Sequence, residues 1–306
     1  MGRFVLRRLV AMVLISLAIV FFCALGMALM RQPSAGVSRL APMPGLGSAL
    51  RDTQGYFAGL LRGRLGSVLR GVWPRRVAVP MTSVLADTYV KSMGLILFSL
   101  LIAATLGVAA GTVAAISEGS ILSAAVLTAT LLGISLPTFF TALLLQVIEI
   151  LWYRRTGLRL VPVGGFGWDA HIVLPALVLA ARPLAQITRI TCVSMSEAAH
   201  QDYVRTAWAK GLAPKRIWGD HVLPNAAVSI LTALGLSVRF SLGSLPVVEY
   251  FFGWPGLGAT LLTAIRARQF NLLATLALAL GLTFMMVNLA LDLGYRWIDP
   301  RLRPES

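Results

Sequence analysis

Charge is scarce in this chain: 13% of its 306 residues are charged, and only 12 of these are acidic. Soluble domains carry about twice that share, and the mean hydropathy of +0.79 excludes an ordinary soluble domain. Histidine is limited to His171, His200 and His221, which share no ligand-like spacing with one another or with cysteine. No His/Glu pair recurs on a helix face, so a metal centre or a membrane metalloprotease has no donor set. The two cysteines, Cys23 and Cys192, fall in segments expected to be helical, where thiols pack rather than bridge. No Gly-x-x-x-x-Gly-Lys-Ser/Thr loop occurs, so the chain has no phosphate cradle and is not itself an ATPase. Low-complexity tracts and solenoid-spaced repeats are missing. No second half resembles the first, which weakens an inverted-repeat carrier. The carboxylates at span ends are Glu149 and Glu249, a poor supply for the relays of a proton-coupled carrier.

What is present in quantity is uninterrupted apolar sequence. Residues 9–30, 92–117, 121–148 and 269–291 carry no charge, and each exceeds the roughly 18 residues that suggest a spanning helix. Two weaker runs, 172–196 and 222–248, are interrupted by Arg182 and Arg189 and by Arg239. Six spans are expected. The first is expected to be retained rather than cleaved, because its 22 uncharged residues exceed the roughly 7–15 of a signal peptide's apolar region. The net charge of +15 is spread over several loops without a soluble binding fold, so anionic lipid and subunit contacts are expected rather than nucleic acid.

An even span count puts both termini on one side with Lys210, Lys215 and Arg216, the side expected to be cytoplasmic. The loop 31–87 opposes this with eight arginines, but it is long, and the positive-inside rule weighs short loops near span ends. That loop holds five prolines and is expected to cap the outer face, with residues 56–69 forming an amphipathic helix through Leu60, Leu61, Leu65 and Leu69.

The polar segment between the fourth and fifth spans has its own grammar. Ser196 and Glu197 are expected to open a short helix, Val204 and Trp208 to share a face, and Gly211 to supply a left-handed cap. Pro214 then suits the first turn of a returning helix. An ordinary hairpin between spans has the same features, and the residues alone leave that alternative open.

Several motifs, in order, carry a resemblance. Gly211, nine residues on, His221-Val222-Leu223-Pro224 is similar to the EAA-loop signature of permease subunits of binding-protein-dependent ABC importers, with His221 where isoleucine is usual. The stretch Gln201-Asp202-Tyr203-Val204-Arg205-Thr206-Ala207-Trp208-Ala209-Lys210-Gly211-Leu212 resembles the dipeptide, oligopeptide and nickel permease version. The literal Glu197-Ala198-Ala199 is a decoy, since the EAA positions fall on Arg205-Thr206-Ala207. Leu136-Pro137-Thr138-Phe139-Phe140, Leu160-Val161-Pro162-Val163-Gly164-Gly165, Glu249 with Phe252-Gly253-Trp254-Pro255-Gly256-Leu257-Gly258, and Asp299-Pro300-Arg301 extend the likeness. Short motifs in the right order are far more specific than any one alone. The Pro-Gly-Asp-Pro pattern that commonly follows the first span is missing, and Arg239 and Pro246 stand where small or apolar residues are usual. These departures leave the solute open.

The resemblance implies an all-α integral membrane protein with six spans of the type I ABC importer permease fold and an external insertion after the first. Its organisation would be a cytoplasmic N-terminus (1–8), a first span (9–30), an external loop or cap (31–87), a core (88–296) holding a cytoplasmic coupling loop (197–221), and a cytoplasmic tail (297–306). It implies a non-catalytic subunit of a bacterial or archaeal inner membrane, importing di/oligopeptides or a similar small solute beside a second homologous permease. Two cytoplasmic ATP-binding subunits would hold the ATP and magnesium, an extracytoplasmic solute-binding protein would deliver the solute, and this chain would bind no cofactor. Asp202, Tyr203, Arg205, Thr206, Ala207, Trp208, Lys210, Gly211 and Leu212 would couple to the ATPases, with Tyr203, Ala207 and Trp208 giving apolar contact and Arg205 and Lys210 charge-assisted hydrogen bonds. The rivals are an ATP-independent carrier or channel and a membrane-embedded enzyme.

Within the spans, Ser135 and Thr138 beside Pro137, together with Arg239 and Glu249, are the candidate pathway residues. Arg239 has an alternative role as the partner of Glu149 or Glu249, and Ser135 and Thr138 as interhelix hydrogen bonders. Arg182, Gln186 and Arg189 share a helix face expected to turn to protein or water; Arg189 matches a position of the resembled family near the cytoplasmic end, where lipid-headgroup or interhelix contact is its expected role. Gly107 and Gly111 permit close helix packing.

Overall fold

The computed structural model describes residues 2–31, 45–70 and 77–298, in two compact units. The first comprises Met1–Ser92 and Pro255–Leu289. It contains α1 (Gly2–Arg31), α2 (Leu46–Leu61), a hairpin of β1 (Ser67–Arg70) and β2 (Val77–Pro80), the start of α3 (Met81–Ile116), α10 (Leu257–Arg266) and most of α11 (Phe270–Ile298). α2 is amphipathic and buries Ala49, Thr53 and Tyr56. Tyr56 anchors it: the ring packs edge-on against Phe57 and Phe270, and the hydroxyl lies 3.0 Å from Thr275 Oγ1. Val20, Ala274 and Leu278 complete that cluster. At Gly281 a Cβ would stand 2.5 Å from the tip of the Ile19 side chain, so Ile19 of α1 lies directly over this glycine of α11.

The helix expected over 56–69 is displaced. It ends at Leu61, and Leu61 itself is 88% exposed rather than part of an apolar face. Gly63 and Gly66 turn the chain at φ +68° and +85°, where glycine pays no steric penalty. Residues 67–70 then pair antiparallel with 77–80, Ser67 opposite Pro80. α3 begins at Met81, six residues before the loop boundary expected at 87. The prolines at 33, 42, 44 and 74 and the Asp299-Pro300-Arg301 motif lie outside the described residues.

The second unit comprises Met93–Trp254 and Ala290–Ser306. Here the rest of α3 is followed by α4 (Ile121–Ser135), α5 (Thr138–Thr156), a 3₁₀ turn at Ala170–Ile172, α6 (Val173–Ala199), α7 (Asp202–Ala209), α8 (Pro214–Arg216), a π-helical turn (Ile217–Val222) and α9 (Leu223–Phe252). The amphipathic α6 is its central helix, burying fourteen of its 27 residues. Gly107 and Gly111 explain how closely α3 comes to it. A Cβ at 107 would stand 3.0 Å from Ile187, and one at 111 would stand 2.5 Å from the Thr188 carbonyl oxygen.

Among the described residues, five helices are long and apolar enough to cross a membrane, and α4 with α5 makes a sixth if the bent pair counts as one span. The uncharged run 121–148 is thus not one straight rod. It turns by 111° because Pro137 has no amide to continue the ladder and holds Leu136 extended, at φ −74° and ψ 128°.

Candidate functional site

The loop joining α6 to α9 folds into successive packed helical turns rather than an open hairpin. Ser196 and Glu197 do not open the short helix; they lie in the last turn of α6, which continues to Ala199, and α7 starts at Asp202. Asp202 in the first turn complements the helix dipole, and Thr206 Oγ1 donates to its carbonyl at 2.9 Å. Val204 and Ala207, three apart, are 1% and 4% exposed. They enter a cluster with Ala114, Ala115, Cys192, Met195, Ala198, Ile217 and Val222. This face holds α7 to the helix ends.

Trp208 therefore does not share the buried face of Val204. It is half exposed, as is Tyr203, at 50% and 43%. Ala207, expected to offer a partner contact, is occupied inside the chain. The outward surface consists of Tyr203, Arg205, Thr206, Trp208 and Lys210, with Arg205 paired at 3.5 Å to an almost fully exposed Asp202. Such an exposed pair adds little stability.

Gly211 closes the helix as expected. At φ +73° its amide bonds to the Trp208 carbonyl at 2.9 Å and the Leu212 amide to the Ala207 carbonyl at 3.3 Å. That double bond pattern is a Schellman cap, and the half-buried Leu212 packs on the cluster. Pro214 stands at the first position of α8. The backbone then runs through the π-helical turn, with Ile217 and Val222 fully buried, directly into α9.

The candidate pathway residues are not brought together. Ser135 is exposed at the bend, whereas Thr138 is half-buried and reaches Ser244 of α9 at 3.4 Å. Glu249 is fully buried and lines no open surface. Arg239 pairs with neither glutamate: its partner is Asp292 on α11, 3.7 Å away. Asp292 sits one residue past the uncharged run 269–291, and that position was the signal that sequence reading passed over. Glu149 instead accepts the Leu160 and Val161 amides at 2.8 and 3.3 Å.

The segment between α5 and α6 is stapled to the end of α9. Gly165 donates to the Phe252 carbonyl at 2.7 Å. Phe166 and Trp168 pack edge-on against the fully buried Trp254, with centroids 4.8 and 5.6 Å away. Nearby, hydrogen bonds from the His171 ring and amide hold the Asp169 carboxyl below the usual carboxylate range.

This is a polytopic, mostly α-helical membrane component whose small β-hairpin departs from the all-α expectation, with a short helix fixed at the junction of two of its long helices. Residues 107–304 match the family described as binding-protein-dependent transport system inner membrane component, and the chain belongs to that family. It is 30% identical to the protein named "Probable peptide ABC transporter permease protein y4tP" of Sinorhizobium fredii, over 99% of this chain and 100% of that one. It is 34% identical to the di/tripeptide transport system permease protein DppB of Pseudomonas aeruginosa, over 81% and 79% of the two chains. Among solved structures, a methionine ABC transporter in inward-facing conformations superposes with a TM-score of 0.57 at 19% identity, over 73% of this chain and 100% of that one. An amino acid ABC transporter with histidines gives 0.53 at 16%, over 70% and 94%. These two show the type I importer permease fold. The chain is a multi-pass inner membrane permease subunit of an ABC importer, non-catalytic, with ATP hydrolysed by a separate subunit.

Proposed function

We propose that this chain carries di/oligopeptides or a similar small solute inward, sharing the pathway with a second homologous permease and driven through α7 by one of two cytoplasmic ATP-binding subunits. An extracytoplasmic solute-binding protein delivers the solute, and both termini face the cytoplasm. ATP and magnesium reside in the partner ATPases. The observation that carries this reading is the two-sidedness of α7: Val204 and Ala207 are buried against the spans while Tyr203 and Trp208 are exposed. A helix locked on one face and open on the other passes a push directly to α6 and α9. Tyr203 and Trp208 supply apolar area for a cleft, and Arg205 and Lys210 supply cationic donors. The names of the peptide permeases to which the chain is similar support the solute class.

The reading is tested by purifying the chain with its ATPases and measuring uptake into vesicles. Uptake should require ATP; transport by the chain alone with ATP depleted would favour a carrier, and turnover of lipid or peptide by it an enzyme. Two further outcomes are expected. In intact cells, a cysteine at Ser67 reacts with an impermeant thiol reagent, whereas one at Lys215 reacts only after the membrane is opened; the reverse pattern would invert the topology. Gly211→Val strains the left-handed cap by about 1–2 kcal/mol, but a side chain there meets nothing within 4 Å. Insertion should stay normal while solute-stimulated ATP hydrolysis falls at least several-fold, and unchanged hydrolysis would show that the cap does not matter for coupling.

A further inference from the structure

Two arginines lie within the long apolar helix α6. Arg182 and Arg189 are exposed, and among the described residues neither forms an ion pair. The Arg182 guanidinium lies 4.8 Å over the ring of Phe240 on α9, a contact that orients a cation without neutralising it. At 3.6 residues per turn, Gln186 and Arg189 lie about 40° and 20° to either side of Arg182. The half-exposed Gln186 and the 49% exposed Val193 continue the same line. One open stripe thus runs down a helix that buries fourteen of its 27 residues. Arginines within a spanning helix turn to protein or to water rather than lipid. The contrast with Arg239 is informative, since its charge is met by Asp292.

We propose that this stripe, centred on Arg182, is a water-facing, anion-selecting segment of the solute pathway and receives a carboxylate carried by the solute. The proposal rests on the importer reading and assigns the solute's charge within it. A planar guanidinium matches a carboxylate in bidentate geometry. Phe240 limits its swing and holds the fork where a passing solute meets it. Asp292 leaves Arg239 a structural cation, so selection falls to Arg182.

The test uses the full importer complex with Cys23 and Cys192 replaced by alanine and a single cysteine at Gln186. Its labelling rate is measured with an anionic, sulfonate-bearing methanethiosulfonate and with a cationic, trimethylammonium one, each relative to a small free thiol. The anionic reagent should be favoured by about tenfold. Arg182→Gln should lower that preference at least threefold, and Arg182→Lys should largely retain it. Absence of labelling, meaning a stripe sealed by protein or lipid, would overturn the proposal, as would a preference unmoved by Arg182→Gln. Co-purification of the ATPases with the wild-type chain tests the importer reading separately, so the two failures are distinguishable.

Discussion

Replacing both Tyr203 and Trp208 with alanine should abolish ATP-driven uptake while the chain still inserts and folds. Both side chains are exposed, so their loss opens no cavity and leaves the Val204 and Ala207 anchor intact. At a partner's cleft each is the kind of aromatic whose truncation costs about 2 kcal/mol or more. Together these losses would weaken ATPase docking by about 100-fold to 1000-fold at 1.4 kcal/mol per tenfold. Expression, ATPase co-purification and solute-stimulated hydrolysis measured side by side check this. A double variant that retains its ATPase would mean that the outward face of α7 is not the docking surface.

The second large effect is structural. Gly111→Val should remove most of the folded chain from the membrane, because its Cβ would stand 2.5 Å from the Thr188 carbonyl oxygen and 2.6 Å from Thr191 Cβ. The first of these is backbone and cannot rotate away. Overpacking of this kind typically costs 1–3 kcal/mol and more where backbone must shift, a large share of a stability of about 5–15 kcal/mol. Gly107→Val, whose Cβ would approach Ile187 only to 3.0 Å, should be milder. Folded yield in detergent, read by size-exclusion chromatography, ranks the two; equal yields would show that α3 can move away from α6 freely.

The contrast between Gly111 and Gly211 shows what was legible in the sequence. A glycine pair four residues apart in an apolar run, and a glycine closing a short polar helix, announce their roles through local chemistry, and both read correctly. The spans were legible for the same reason: each is long, apolar and nearly free of charge. What failed depended on distant partners. The face of α7 could not be assigned from an i, i+4 pair, because the identity of its buried side was set by Met195, Ile217 and Val222 on neighbouring elements. Arg239 found Asp292, 53 positions away in sequence, where nothing local distinguished that carboxylate from Glu149 or Glu249. The insertion misled because leucines at helical spacing in 56–69 outweighed Gly63 and Gly66 in the reading, although the two glycines decided where the helix stopped.

The most direct test of the account is a photo-crosslinking measurement on the assembled complex, with a photoreactive phenylalanine analogue in place of Tyr203. Irradiation should yield one major adduct between this chain and the cytoplasmic ATP-binding subunit. Adducts only with lipid or with an extracytoplasmic protein, or none above background, would contradict the claim that α7 is the seat of the motor.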